Sequence, residues 1–362
     1  MKLLIQPRDG TEALLAAIRS AKKHIEIVIF RFDRAEIEAA LKAAVGRGVA
    51  VNALIAYTNR GGEINLRKLE MRLLEVGVSV SRTANDLARY HDKLMIIDRR
   101  TLFVMSFNWT HLDIDRSRGF AVITRNAGLV QEAVKLFQAD ATRKPYVAAL
   151  DTFVVSPVNA RKVLAAFIAK AKHELLIYDP SIADPAMLRA LAERQKAGVA
   201  IKIIGHIGRG NPGLEVRRLA TIRLHTRTII CDRVRAFVGS QSLRPAELDS
   251  RREVGVLVKD AQVVAALRKR FEADWAANVV KPSGARAHAH AKVVKKASKG
   301  LAKGLVKELT SLSPIVKEAL KEARSQGVEG VLNPQELKET VKGAVKEAVR
   351  ERVEVVVRDS LD

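Results

Sequence analysis

The chain holds a single cysteine, Cys231, in 362 residues. One thiol excludes an intramolecular disulfide framework and a cysteine-rich zinc site. Its place in TIICD, a strand-like run, gives it the role of a small buried apolar group. Aromatic residues are scarce, at 4%. That argues against the rows of stacking platforms that line many single-stranded nucleic-acid channels. No stretch reaches the roughly 18 uncharged apolar residues of a membrane span. The opening MKLLIQPRDG has too short an apolar run for a signal peptide. A cytoplasmic protein, free or peripheral to a membrane, is expected. Acidic residues are also in short supply: Asp+Glu number 40 against 63 Lys+Arg, a net charge of +23. Residues 281–362 carry 17 basic and 11 acidic residues, so +17 lies on residues 1–280. Such a body attracts polyanions, either nucleic acid or an anionic phospholipid surface. Charge alone does not choose between them.

What the chain does have is an internal repeat. HDKLMIIDRRTLFVMSFN contains His91, Lys93, Asp98, Ser106 and Asn108. HTRTIICDRVRAFVGSQS contains His225, Arg227, Asp232, Ser240 and Ser242, each displaced by 134 residues from its match. IRSAKKHIEI is echoed by IAKAKHELLI, GVAV by GVAI, and LFQAD by RFEAD. Two copies of one supersecondary plan are expected, over 1–148 and 149–278. In each, strand patterns alternate with helical ones, as in an α/β sheet flanked by helices. ADPAMLRALAERQKAG reads as a helix capped by Asp184, with Pro185 at its first position and Gly198 past its end. LLIYDP reads as a short strand ended by Pro180. After Trp275 comes a basic linker, then two helical patterns that begin near Ser313 and Asn333. Residues 279–362 therefore read as a linker and helical tail, a hairpin or self-association element rather than a membrane contact.

By the period of two in a strand, His91 and Lys93 share a face, as do His225 and Arg227. A histidine and a cation side by side suit a phosphodiester. The cation holds the non-bridging oxygens, and the imidazole serves as nucleophile or proton donor.

The duplicated His-x-Lys-x4-Asp with a trailing Ser-x-Asn resembles the phospholipase D superfamily, which includes cardiolipin synthases and some nucleases. The resemblance covers about residues 10–278, and FEADW (Phe271, Asp274, Trp275) has a cardiolipin-synthase-like flavour. It implies two similar halves about a pseudo-two-fold axis, each a mixed sheet flanked by helices, with one active site between them. It also implies chemistry without metal or cofactor, through a covalent phosphohistidine. Carried over, His91 and His225 are the reacting pair. Lys93, Arg227 and Asn108 hold oxygens, and Ser106, Ser240 and Ser242 support the site. Asp98 and Asp232 brace strand turns. The sequence departs from the pattern at Met105 for glycine, Arg227 for lysine and Ser242 for asparagine. A carboxylate is expected about 28 residues after each histidine. Glu253 fits after His225, while the match after His91 is Gly119. With Glu253 beside His225, that histidine becomes the acid and His91 the nucleophile. Asp115 is another carboxylate that could serve His91. Arg116, Arg118, Arg251 and Arg252 closely follow the two motifs and suit either substrate binding or a solvated rim. The expected activity is phospholipid hydrolysis or phosphatidyl transfer. A nuclease, or an inactive scaffold for anionic surfaces, is the alternative.

Overall fold

The computed structural model describes residues 1–57, 63–208 and 213–278. The tail helices expected near Ser313 and Asn333 lie outside them. The first half runs through β1 (Lys2–Gln6), α1 (Glu12–Ser20), β2 (His24–Val28), α2 (Ala35–Gly46), β3 (Ala50–Ile55), α3 (Glu63–Glu75) and β4 (Ser79–Arg82). It continues with β5 (Arg89–Tyr90), β6 (Leu94–Ile97), β7 (Thr101–Met105), α4 (His111–Asp115), β8 (Ser117–Thr124) and α5 (Ala127–Ala141). The second half runs through β9 (Phe153–Ser156), α6 (Ala160–Ala169), β10 (Glu174–Ile182), α7 (Pro185–Lys196), β11 (Ala200–Ile207) and β12 (Glu215–Arg217). It ends with β13 (Arg223–Leu224), β14 (Arg227–Cys231), β15 (Arg235–Gly239), α8 (Pro245–Asp249), β16 (Arg251–Val258) and α9 (Ala261–Ala277).

Among the described residues these strands make two mixed sheets of one design. The first has the order β1-β8-β7-β6-β2-β3-β4; the second has β9-β16-β15-β14-β10-β11-β12. β2 runs parallel to β3, and β10 parallel to β11. The motif strands are antiparallel to their neighbours. Both faces of β6 are covered, which explains its unbroken apolar run. Leu94 and Ile96 enter a central core shared by both halves, and Met95 and Ile97 enter an outer core of the first half. The central core also takes Leu129, Leu136 and Phe137 of α5 and Val264, Leu267 and Phe271 of α9. Cys231 is buried in the outer core of the second half.

Local signals account for several details. Asp184 caps α7 by accepting from the backbone N–H groups of Ala186 and Met187. Gly198, at φ +86°, follows that helix in a conformation that other residues rarely adopt. Pro180 does not end its strand, contrary to the sequence reading. It sits in an irregular stretch between Asp179 and Ile182, and pairing with β14 stops at Tyr178. The missing N–H therefore costs no ladder hydrogen bond. Met105, where the family pattern has glycine, is buried in the outer core, and its sulfur accepts from Trp109 Nε1 at 3.3 Å.

The two sheets exchange their edges. β5, just before His91, pairs in parallel with Arg251 and Arg252 of β16. β13, just before His225, pairs in parallel with Ser117 and Arg118 of β8. Arg252 donates to Asp140 of α5 at 2.9 and 3.0 Å, and Arg118 donates to Asp274 of α9 at 2.8 and 3.1 Å. Each buried pair joins one half to the other, and the two are related by the 134-residue offset. These two arginines were candidates for substrate binding. The structure corrects that for both: a buried guanidinium needs a carboxylate partner, and each has one from the opposite half.

Removing one partner of such a pair leaves a stranded charge. Arg252→Ala should cost roughly 3–5 kcal/mol of stability in urea unfolding, and the double replacement Arg252→Met with Asp140→Leu clearly less. Equal losses would show that the charge pairing is not what joins the halves.

Candidate active site

His91 and His225 enter the site from the ends of the exchanged strands. His91 N–H donates to Arg252 O at 2.9 Å, and His225 N–H donates to Arg118 O at 3.1 Å. Each histidine is thus anchored on the sheet of the other half. Lys93, fully buried, donates from Nζ to the His91 carbonyl. Arg227 repeats this towards the His225 carbonyl at 2.8 Å and also donates to Ser242 Oγ at 3.1 Å. The two cations act on both imidazoles. Burial, then Lys93 and Arg227, push His91 well below the usual histidine value. Burial, then Arg227, Arg223, Lys93 and His91 itself, do the same to His225. Both shifts favour the neutral form of the ring. Burial also lowers Lys93, to about 8.

The carboxylates are arranged differently from the sequence expectation. Glu253 does not serve His225. It lies across the junction with both oxygens on His91 Nδ1, at 3.0 and 3.1 Å. It is fully buried, and desolvation raises its own pKa. His225 is served by Asp113 of α4, whose Oδ2 is 3.2 Å from Nδ1 but without hydrogen-bond alignment. Asp113 also accepts from Asn108 N at 2.8 Å and Asn108 Nδ2 at 2.7 Å, and pairs with Arg223. Its charge is spread over more partners than that of Glu253.

The reason lies at Gly119, the position equivalent to Glu253. A Cβ there would come within 2.8 Å of the Phe107 ring. Phe107 closes that route for a side chain from β8, and the acid arrives from α4 instead. Sequence reasoning missed Asp113 although a signal existed. Asp113 and Glu247 are also 134 residues apart, each five positions after the motif's Asn108 or Ser242. Glu247 Oε2 accepts from Ser242 N at 2.7 Å, repeating the Asp113–Asn108 contact. Asp115 serves neither His91 nor His225; it pairs with Arg34 at 2.6 Å and with His111 at 3.1 Å.

The other motif residues build the frame. Asp98 accepts from the backbone N–H groups of Lys22, Lys23 and His24, and Asp232 from those of Lys172, His173 and Glu174. Both sit at positive φ in the turns after β6 and β14. Ser106 Oγ accepts from Phe120 N at 2.9 Å, and Ser240 Oγ from Val254 N at 3.1 Å. Arg116 is exposed, and half-buried Arg251 donates to Glu247 at 3.3 Å. No group of three or more histidine, cysteine or acidic side chains able to hold a metal ion occurs among the described residues.

Comparison with known proteins agrees with this architecture. The family model described as "Cardiolipin synthase, PLD-like domain" matches residues 14–141 and 164–275. The chain belongs to this family, within the phospholipase D superfamily. It is 29% identical over 133 residues to mitochondrial cardiolipin hydrolase of Danio rerio, covering 35% of this chain and 56% of that protein. The Mus musculus protein of the same name is 29% identical over 127 residues, covering 34% and 52%. The chain thus spans about half the length of these relatives. Among solved structures, the fold is similar to polyphosphate kinase from Porphyromonas gingivalis, with a TM-score of 0.63 and 19% identity. That likeness covers 76% of this chain and 50% of the kinase. It is also similar to phosphatidylserine synthase from Haemophilus influenzae, with a TM-score of 0.58 and 13% identity, covering 75% and 85%.

One buried group has no role in this arrangement. Asp92, between His91 and Lys93, has no hydrogen-bond partner for either carboxyl oxygen, and burial raises its pKa to about 7. The raised value means the folded state holds the extra proton from about pH 4 to 7, so the group destabilises increasingly across that window and fully above it. Asp92→Asn should raise the melting temperature by several degrees at about pH 8 and far less at about pH 5. Equal shifts at both values would contradict the protonated buried carboxyl.

Proposed function

We propose that the protein is a phosphodiesterase acting on phospholipids, by head-group hydrolysis or phosphatidyl transfer, through a phosphohistidine. The observation that carries this reading is the pair of buried imidazoles flanked by Lys93 and Arg227, with Glu253 hydrogen-bonded to His91 Nδ1 and Asp113 3.2 Å from His225 Nδ1. A phosphodiester anion in this site meets two buried cations, which hold its non-bridging oxygens. The assignment of His91 as nucleophile rests on Glu253. Neutral His91 donates its Nδ1 proton to Glu253, which leaves the Nε2 lone pair for phosphorus. As the N–P bond forms, the ring becomes cationic, and the buried carboxylate opposite stabilises it. The leaving P–O bond breaks with its electron pair on oxygen, which takes a proton from His225. The bound anion offsets Lys93 and Arg227 and so restores that proton to His225. In the second step His225 takes the proton of water or an alcohol, oxygen attacks phosphorus, and the P–N electrons return to His91.

The lipid substrate is supported by membership of the cardiolipin synthase-like family and by relatives named for cardiolipin hydrolysis. No helix among the described residues is long and apolar enough to cross a membrane, so contact with lipid would fall to the surface of a chain of net charge +23. The same charge favours nucleic acid as the second reading.

His91→Ala should abolish both turnover and an acid-labile, alkali-stable phosphoryl adduct. His225→Ala should still form adduct from a diester with a good leaving group such as p-nitrophenol, because only leaving-group protonation is lost. Adduct on His225 in the wild-type protein would reverse the two roles. The cationic site repels a divalent ion, so chelators should leave the rate unchanged. For the substrate, incubation with phosphatidylglycerol or cardiolipin vesicles should release head group, or yield a transfer product when glycerol is supplied. Cleavage of oligonucleotides with no action on either lipid would establish the nuclease reading instead.

A further inference from the structure

The pseudo-two-fold axis is broken by charge on one side of the site. Arg89 lies beside Arg251 in the parallel β5–β16 register. Their repeat equivalents are Arg223 and Ser117, paired in the same way. On that side Arg223 is neutralised: it pairs with Asp113 and donates to Ser117 Oγ at 3.0 Å. On the His91 side serine is replaced by arginine, and Arg89 has no carboxylate partner among the described residues. Its guanidinium packs over the Phe30 ring at 5.3 Å, and Arg31 approaches the same ring at 5.7 Å. Phe30 in turn meets the His91 ring edge-on at 5.0 Å. One aromatic ring therefore touches the reacting histidine and two arginines.

Arg251 shares Glu247, its salt-bridge partner among the described residues, with Arg244 at 3.7 Å and Arg227 at 3.9 Å. Half-buried Arg89 is held below the ordinary guanidinium value by burial, then by Arg251 and Arg31. Arg89, with no salt bridge among the described residues, lies beside Arg251, which shares Glu247, and such adjacent like charges are an electrostatic cost. A doubly charged oxyanion relieves that cost and suits forked donors.

We propose that Arg31, Arg89 and Arg251 form a second phosphate subsite beside His91, so that the substrate carries a further phosphate next to the diester being cleaved. The proposal rests on the phosphodiester chemistry assigned to the histidines. The shared ligand chemistry is a second phosphate a few bonds from the first. A glycerol-linked bisphosphate head group and a nucleotide with neighbouring phosphates both supply it.

The test is calorimetric titration of the full chain at fixed ionic strength with glycerol 1-phosphate and glycerol 1,3-bisphosphate. Thymidine 5′-phosphate and thymidine 3′,5′-bisphosphate form the second arm. In at least one arm the bisphosphate should bind about tenfold tighter than its monophosphate. The arm with the larger ratio identifies the source. Arg89→Gln should bring that ratio near one while the monophosphate affinity changes less than about threefold. Lys196→Gln, which removes an exposed charge at the end of α7, should keep the ratio. Melting curves verify that each variant is folded. A ratio near one in both arms of the wild-type protein overturns the subsite. So does an equal fall in the ratio for Arg89→Gln and Lys196→Gln, or an equal weakening of mono- and bisphosphate by Arg89→Gln. Tight bisphosphate binding without turnover of any diester would defeat the proposed catalysis and leave the subsite standing. Diester turnover with equal mono- and bisphosphate affinity would do the reverse.

Discussion

Each half of the protein completes the other by lending it a strand. β5 leaves the first half and pairs with β16, and β13 leaves the second half and pairs with β8. Each exchange is fixed by a buried arginine on the receiving strand that reaches a carboxylate of the lending half, Arg252 to Asp140 and Arg118 to Asp274. An arginine removed from water is tolerated only with a well-placed partner, so these pairs specify one docking of the halves. The positions of the histidines follow. Both follow directly after the exchanged strands, and both hydrogen-bond through their own backbone N–H to the opposite half. Neither half assembles its histidine–carboxylate pair alone, because the acid on each ring comes from the other copy.

The electrostatics of the site come from the same junction. Lys93 and Arg227 are buried with the imidazoles, so they act through a low-dielectric interior and add to the burial that disfavours the charged form of both rings. The copies have diverged around this shared requirement. Phe107 closes the route at Gly119 and moves the acid for His225 to Asp113. The second copy keeps Gly239 and Gly255 in contact under Phe237 and Gln241, where a Cβ would meet atoms at 2.3 to 3.0 Å. The result is a tight carboxylate on His91 and a shared one on His225. Among the described residues, Arg89 on the His91 side has no salt bridge, whereas its repeat equivalent Arg223 pairs with Asp113.

The sequence by itself determined the duplicated α/β plan, the motif residues and the turn-bracing role of Asp98 and Asp232. These depend on local chemistry: strand period, capping and turn residues, and a constant offset between copies. It also carried, unread, the offset that links Asp113 to Glu247. Only the tertiary structure decided which acid meets which histidine. Glu253 follows His225 by 28 residues, yet its strand receives the one that leads into His91, and sequence distance carries no information about that exchange. The same holds for the arginines. Arg251 and Arg252 are neighbours in the chain, but successive side chains of a strand point to opposite faces. One reaches Glu247 and the other Asp140, and that difference is set by what packs on each face of the sheet rather than by either residue.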